Sequence, residues 1–362
     1  MEVATPIRVA VLGAGGLGRA ACRIIGMKRE LRLVAICDSK GFVASSEGLE
    51  TEVLANGSGE LVTSYRAAMA EFRGHVLNSR IKDMSPECPG TLGDAAAEYE
   101  AEWCHDPLGA VMERASDIDA ALITLPNLPN EFIPGVIDRF ASQARGHVYV
   151  DVLKRTAAVE QMFALDARVK SAASVVLTGC GATPGLLSAA AVLAAQSFIE
   201  VEKVDIWWGV GIANWDAYKA TIREDIAHLP GYSVERAKAM TDEEIDAFLD
   251  ARQGLLELRH MEHADDVLLQ RVGVVESHEQ VEVGGVMDTR HAKKPVSTTM
   301  TLTGITHEGK RASHRFILGD ETTMAANVIG PALGYLKRGM WLRQHGLFGV
   351  FGSTEFLPMI VR

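Results

Sequence analysis

Residues 7–12, IRVAVL, form a nearly continuous apolar run rich in β-branched side chains, and the run stops at Gly13-Ala14-Gly15-Gly16-Leu17-Gly18. Such a run reads as a strand buried on both faces, as parallel strands are. RAACRIIGMK follows with helical spacing, and LRLVAIC (31–37) is a second buried run. Strand, glycine-rich turn, helix and strand in this order make a β-α-β unit. The unit commits the chain to an α/β sheet, because parallel neighbours need a crossover and cannot be joined by a tight hairpin.

The glycines have separate tasks. Gly13 permits the tight turn, Gly15 lets backbone approach a pyrophosphate, and Gly18 lets helix pack on strand. Gly16 and Leu17 open the helix, whose free N–H groups favour an anion. Asp38 ends the second strand, where an acid that accepts from a ribose hydroxyl belongs. Ser39 and Lys40 follow it and are placed to hold a 2′-phosphate instead. The expected cofactor is NAD(H) or NADP(H), with a slight preference for NAD(H), since the acid would repel the extra phosphate.

Further along, residues 43–105 carry scattered glycines and prolines and no sustained strand, and read as helices and loops. Asp106 then caps a helix with Pro107 at its first position. AALITL (120–125), HVYVD (147–151) and SVVLTG (174–179) read as buried strands. Helices capped by Asn130 and Thr156 separate them, and Thr183 caps the next, with Pro184 at its first position. After this the pattern changes. VEKVDIWWGV (201–210) alternates, residues 212–266 are polar and mostly helical, and Thr241 with Glu244 forms a capping box. QVEVGGVMD, VSTTMTLTGIT and KRASHRFIL alternate as antiparallel strands, and a last helix from Thr322 to Arg338 stops at Gly339.

The fold class is therefore α/β: an N-terminal Rossmann-type doubly wound parallel sheet, plus a second α+β domain with a largely antiparallel open sheet. The domains are 1–183 for dinucleotide, 184–321 for substrate and oligomerisation, and 322–362 as a C-terminal helix and tail packing back on the first domain.

Charge removes several function classes. With 36 basic and 47 acidic residues the net charge is −11, which argues against nucleic acid. The five cysteines include no CxxC pair, so neither zinc nor a disulfide framework is indicated and a reducing, cytoplasmic setting is expected. The first residues lack the basic segment of a signal peptide. Ser171 to Ile199 is uncharged and long enough for a membrane span, but GCGATPG (179–185) interrupts it, so it reads as strand, turn and helix. No membrane partner is expected. The open sheet suggests a homodimer or homotetramer acting on a small molecule.

Lys154 leaves a strand at the carboxyl edge of the sheet, where ligands of such folds lie, and is the candidate proton donor to a carbonyl or imine. Its place at a helix start, with some burial, is expected to lower its pKa. Tyr218 and His228 are the other catalytic candidates, while Asp151 and Arg155 orient or pair. Leu125, Pro126 and Asn127 would form a wall beside the nicotinamide. Gly181 and Thr183 enter a helix that suits a carboxylate. Asn214, Trp215 and Arg223 are candidate substrate-pocket residues. His260 and His263 share a helical spacing, yet no third ligand is evident, so no metal is expected.

GAGGLG with Asp38, VDVLKRT and GCGATPGLL together resemble the saccharopine dehydrogenase-like oxidoreductases, and LPNLPN, TGCGATPG, GVGIANW and GDETTMAANV look most like a branch of that group from photosynthetic lineages. The resemblance spans most of the chain. It implies a Rossmann domain, a mixed α/β domain and NAD(P)-linked oxidation or reduction at a C–N or C–O bond. Thr183 stands where the family has an acid before Pro-Gly, which departs from an amino-dicarboxylate substrate. The expected function is an NAD(P)-dependent oxidoreductase acting on a small anionic metabolite. A sugar-type oxidoreductase and a dinucleotide-binding regulator without turnover are the alternatives.

Overall fold

In a computed structural model of the chain, residues 5–83, 98–127, 129–213 and 215–362 are described. Its contacts divide into two compact units, Met1–Thr124 with Val361–Arg362, and Leu125–Ile360.

The first unit contains β1 (Ile7–Leu12), α1 (Gly16–Gly26), β2 (Leu31–Cys37), β3 (Gly41–Ala44), α2 (Thr51–Asn56), α3 (Leu61–Asp83), β4 (Glu100–Trp103), α4 (Pro107–Met112) and β5 (Ala120–Ile123). β1 lies between β2 and β5, parallel to both, as its two-sided apolar run requires. Val9 to Leu12 are wholly buried. Close packing explains Gly18: a Cβ there would sit 1.8 Å from the Gly13 carbonyl oxygen. Gly13 itself has φ +109°, the turn conformation that a side chain disfavours. Asp106 caps α4 as expected, accepting from the Gly109 N–H.

The stretch read as helices and loops holds two short strands as well. β3 and β4 pair antiparallel, and β3 also pairs antiparallel with β2. Four-residue strands are too short to show a periodicity above the noise of their neighbours.

The second unit contains α5 (Phe132–Gln143), β6 (Val148–Asp151), α6 (Thr156–Ala164), α7 (Asp166–Ser171), β7 (Val175–Thr178), α8 (Leu186–Ala195), β8 (Phe198–Gly211), α9 (Lys219–Ala227), α10 (Val234–Ala239), α11 (Asp242–Asp250), β9 (Leu255–Leu258), α12 (Asp265–Arg271), β10 (Val281–Asp288), β11 (Thr298–Thr306), β12 (Arg311–Leu318), α13 (Met324–Gln344) and β13 (Gly349–Gly352). β7 pairs parallel with β6 and with β13. A separate sheet of five strands has the order β12-β11-β8-β10-β9. β8 is antiparallel to β11 but parallel to β10, so the sheet is largely antiparallel with one parallel pair. Leu187 and Ala191 of α8 pack on Ile206, Met300 and Leu302 of this sheet, and Ile222, Ile226 and Phe248 belong to the same core. Both halves of the expected fold class, the parallel α/β part and the open α+β sheet, are thus present.

Several local expectations are corrected. Glu131, not Asn130, precedes α5, and Arg155, not Thr156, precedes α6. In each case the polar side chain is drawn off by a tertiary partner: Asn130 accepts from Arg155 Nε at 2.8 Å, and Thr156 Oγ1 donates to Asp266 at 2.9 Å. The Thr183–Pro184 peptide is cis, and α8 begins only at Leu186, behind Gly185. Gly339 does not stop the last helix. It lies inside α13, where a Cβ would meet Val148 of β6 at 2.4 Å, so the glycine brings helix and strand together. Among the described residues no helix is long and apolar enough to cross a membrane, and the uncharged run 171–199 is divided into β7, a turn and α8.

Candidate functional site

Two groups of sequence-marked residues lie in different units. In the first unit, Gly13, Gly15, Gly16, Leu17 and Gly18 form the turn and the opening of α1, with Gly15 as N-cap. A Cβ at Gly15 would meet nothing within 4 Å, so the protein's own packing does not demand this glycine. Asp38 is occupied internally. Its Oδ1 accepts from the N–H groups of Lys40 (2.7 Å) and Gly41 (2.9 Å), and its Oδ2 from Leu61 (3.1 Å) at the start of α3. The acid thus ties the turn to that helix, and Ser39 and Lys40 are exposed beside it.

The second unit holds a denser centre. Lys154 lies just past β6, and its Nζ is 2.7 Å from Asp225 Oδ1 and 3.4 Å from Glu224 Oε2. Both acids lie on α9 and are only 3% and 2% exposed, against 18% for the lysine. Asn127 Nδ2 donates to Glu224 Oε2 at 3.0 Å, whereas the enclosed Oε1 has no hydrogen-bond partner among the described residues. Asn127 therefore serves this carboxylate. The expected lowering of the Lys154 pKa is also corrected. Burial does push it down, but the charges and hydrogen bonds of Asp225 and Glu224 outweigh burial, and the lysine is held above its ordinary range as an ammonium. Burial raises the Asp225 carboxyl, with Lys154 opposing.

A second layer surrounds this trio. Arg155 reaches His228 (3.3 Å), Asn130 and Glu262 (2.5 Å). Burial, aided by the positive charge of Lys154 and Arg155, drives His228 down to about 3, so it is neutral. The Ala264 N–H donates to the Lys154 carbonyl at 2.8 Å, which brings the segment before α12 against the lysine. On that segment His263 Nδ1 is 2.7 Å from Asp265 Oδ2, with the two side chains 3% and 0% exposed. Asp265 also accepts from Thr183 Oγ1 at 2.6 Å and from Ser188 Oγ. Thr183 is thus drawn into the centre through Asp265.

Other candidates have structural duties. Trp215 is buried in the core of the open sheet, and its Nε1 donates to Asp246 at 2.6 Å. Arg223 pairs with Asp242 (2.7 Å) and the Met240 carbonyl, linking α9 to α11. Tyr218 precedes α9 as its N-cap residue, and burial raises its phenol. The Gly181 carbonyl accepts from the Leu186 N–H in the turn before α8. Asn214 lies outside the described residues. The sequence reading missed Glu224, Asp225 and Asp265, and left His263 as a stray imidazole. One signal was present: Asp225 stands three after Ile222 and next to Ile226, both fully buried, so it lies on the apolar face of its helix.

No protein-family model matches the chain. It is 40% identical over 356 residues to the "(S)-8-amino-7-oxononanoate synthase BioU" of Haloferax mediterranei, covering 97% of this chain and 99% of that protein. Among solved structures it is similar to a C. glutamicum DAP dehydrogenase in complex with DAP (TM-score 0.52, 16% identity, 97% of this chain and 94% of that one). An engineered D-amino acid dehydrogenase bound to NADP+ is similar at TM-score 0.50 and 17% identity, with the same coverage. At such identities these structures show the two-domain Rossmann-type fold alone. The relative is named as a synthase, and this corrects the expected oxidoreductase function. The saccharopine dehydrogenase-like assignment does not stand, nor does the NAD(P)-dependent oxidoreductase function, with its sugar-type and regulator alternatives. The NAD(H) or NADP(H) expectation goes with them. The glycine-rich turn is a property of the fold, and a fold does not specify chemistry.

Proposed function

The chain belongs to the family of the (S)-8-amino-7-oxononanoate synthase BioU, and we propose that it forms the amino ketone this name describes, at the Lys154 centre. The compound carries a ketone at carbon 7, an amine on the next carbon and a carboxylate at the far end of its chain. One observation carries the reading: the Lys154 ammonium is held between two buried carboxylates, 2.7 and 3.4 Å away. A fixed ammonium donates to a ketone oxygen and stabilises the negative charge that builds there as bonds change at the carbonyl. Two carboxylates around one ammonium leave negative charge to spare, which suits a substrate amine. Asn127 fixes one of those carboxylates and Arg155 braces the segment that follows the lysine.

The test uses a host lacking its own 8-amino-7-oxononanoate synthase. Expression of this chain restores the compound, read by mass spectrometry, and Lys154→Met lowers it by about 10²- to 10⁴-fold at equal soluble protein. No compound from the wild-type chain, or full restoration by the variant, would sink the proposal.

A further inference from the structure

The five-stranded sheet of the second unit has one covered face. Val204 and Ile206 of β8, Val283 and Met287 of β10, and Met300 and Leu302 of β11 lie in the core with α8, α9 and α11. Alternate residues of a strand point the other way, so the opposite face presents Trp207, Val286 and Ile317. The Trp207 indole covers Gly284, where a Cβ would meet its ring at 2.7 Å. Ile317 is 55% exposed. β12 is the edge of the sheet, and Arg311 to Ile317 are all exposed. A bare edge beside an apolar face is a surface that recruits a partner.

Charge is divided across this face. Glu257 of β9, Glu282 of β10 and Asp205 of β8 share two cations, Arg259 and Lys203. Toward β12 the balance reverses, because Arg315 is exposed and forms no ion pair among the described residues. Arg315 stands opposite Thr301, Thr301 opposite Asp205, and Asp205 opposite Glu282, so the lone cation and the acids share one row. Turning a second copy about an axis along β8, the middle strand, lays each β12 over the acidic side of the other sheet. Arg315 of each copy then comes within reach of Glu282 of the other. A pattern that matches itself in this way is what a twofold contact needs. The net charge of −11 disfavours a nucleic acid or an anionic lipid surface as the occupant.

We propose that this open face is the interface of a twofold dimer of the chain, with the two sheets packed face to face, Trp207 and Val286 near the centre and two Arg315–Glu282 ion pairs toward the rim. Strands about 4.8 Å apart and about 3.3 Å per residue give such a sheet a face of about 600 Å² before side chains are counted. A standard stable interface buries about 800 Å² per partner, so the face is large enough.

Sedimentation equilibrium of the full chain gives its mass and dissociation constant, and circular dichroism checks the fold of each variant. Wild type at micromolar concentration is expected at twice 39.0 kDa, or a multiple of that. Val286→Glu sets like charges near the centre and should raise the dissociation constant about 100-fold or more. Arg315→Glu should raise it about tenfold, and adding Glu282→Arg should restore it, because the reversed pair attracts again. If Val286→Glu disturbs the circular dichroism, Thr301→Glu on the same face takes its place. A wild type that stays at 39.0 kDa overturns the inference. So does an assembly that these glutamates at 286 or 301 leave intact, which would put the contact elsewhere, the β12 edge included. A double variant that fails to recover overturns the face-to-face arrangement.

Discussion

The glycine-rich turn of the first unit and the Lys154 centre of the second are built on opposite principles. The turn is local. Gly13 to Gly18 are contiguous, and their geometry follows from one strand, one helix and the overlap a side chain would cause at position 18. The Lys154 centre gathers Asn127, Lys154, Thr183, Glu224, Asp225, His263 and Asp265 from five separate segments. The local motif was easy to see and misleading about chemistry. Of the dispersed one the sequence offered Lys154, Asn127 and Thr183 as candidates, but not the two carboxylates that hold the lysine. A loop that serves its fold advertises itself through spacing, whereas a buried charge centre reveals itself only when the chain has closed around it.

That contrast is open to direct tests, beginning with the largest effect. Lys154→Met strands two buried carboxylates, and loss of one partner from a buried ion pair costs about 3–5 kcal/mol. Urea denaturation at neutral pH should show this, and the deficit should shrink on acidification as the acids take up protons. A loss below about 1 kcal/mol would mean that water reaches Glu224 and Asp225 freely.

Asp151 provides a second test in the same unit. It is fully buried, and burial, opposed by hydrogen bonds from Gly179, Leu153 and Thr178, raises its carboxyl to about 6. A raised carboxyl pKa stabilises the fold while the group is protonated, and the benefit is lost as pH rises through that value. Between about pH 4 and 6 the chain should therefore lose about 3 kcal/mol through this group. Asp151→Asn keeps an acceptor for those three donors and should flatten the profile in that window. An unchanged slope in the variant would assign the pH dependence elsewhere.

Within the turn, effects should be smaller and should differ by position. Gly18→Ala places a methyl against backbone and should cost about 1–3 kcal/mol, read from the denaturation midpoint. Asp38→Ala removes the acceptor for the Lys40, Gly41 and Leu61 N–H groups and should cost about 1 kcal/mol, as loss of a helix cap does. Gly15→Ala has open space and should change stability by less than about 0.5 kcal/mol. If Gly15→Ala proved as damaging as Gly18→Ala, the packing account of this turn would fail.

By itself the sequence determined the α/β class, the β1-turn-α1-β2 unit, the Asp106 cap, the Thr241–Glu244 capping box and the strand–turn–helix reading of residues 171–199. Each depends on periodicity or on side chains within a few residues of one another, and such short-range physics survives in one dimension. The tertiary structure decided the rest. Asn130 and Thr156 leave their expected capping roles for partners 25 and 110 residues away. Gly339 continues a helix because β6 lies against it. Above all, the Lys154 ammonium is set by Glu224 and Asp225, some seventy residues on, an offset of 71 for the closer acid. Charge acts through space in a low-dielectric interior, so its partners are unknown until burial brings them within a few ångströms.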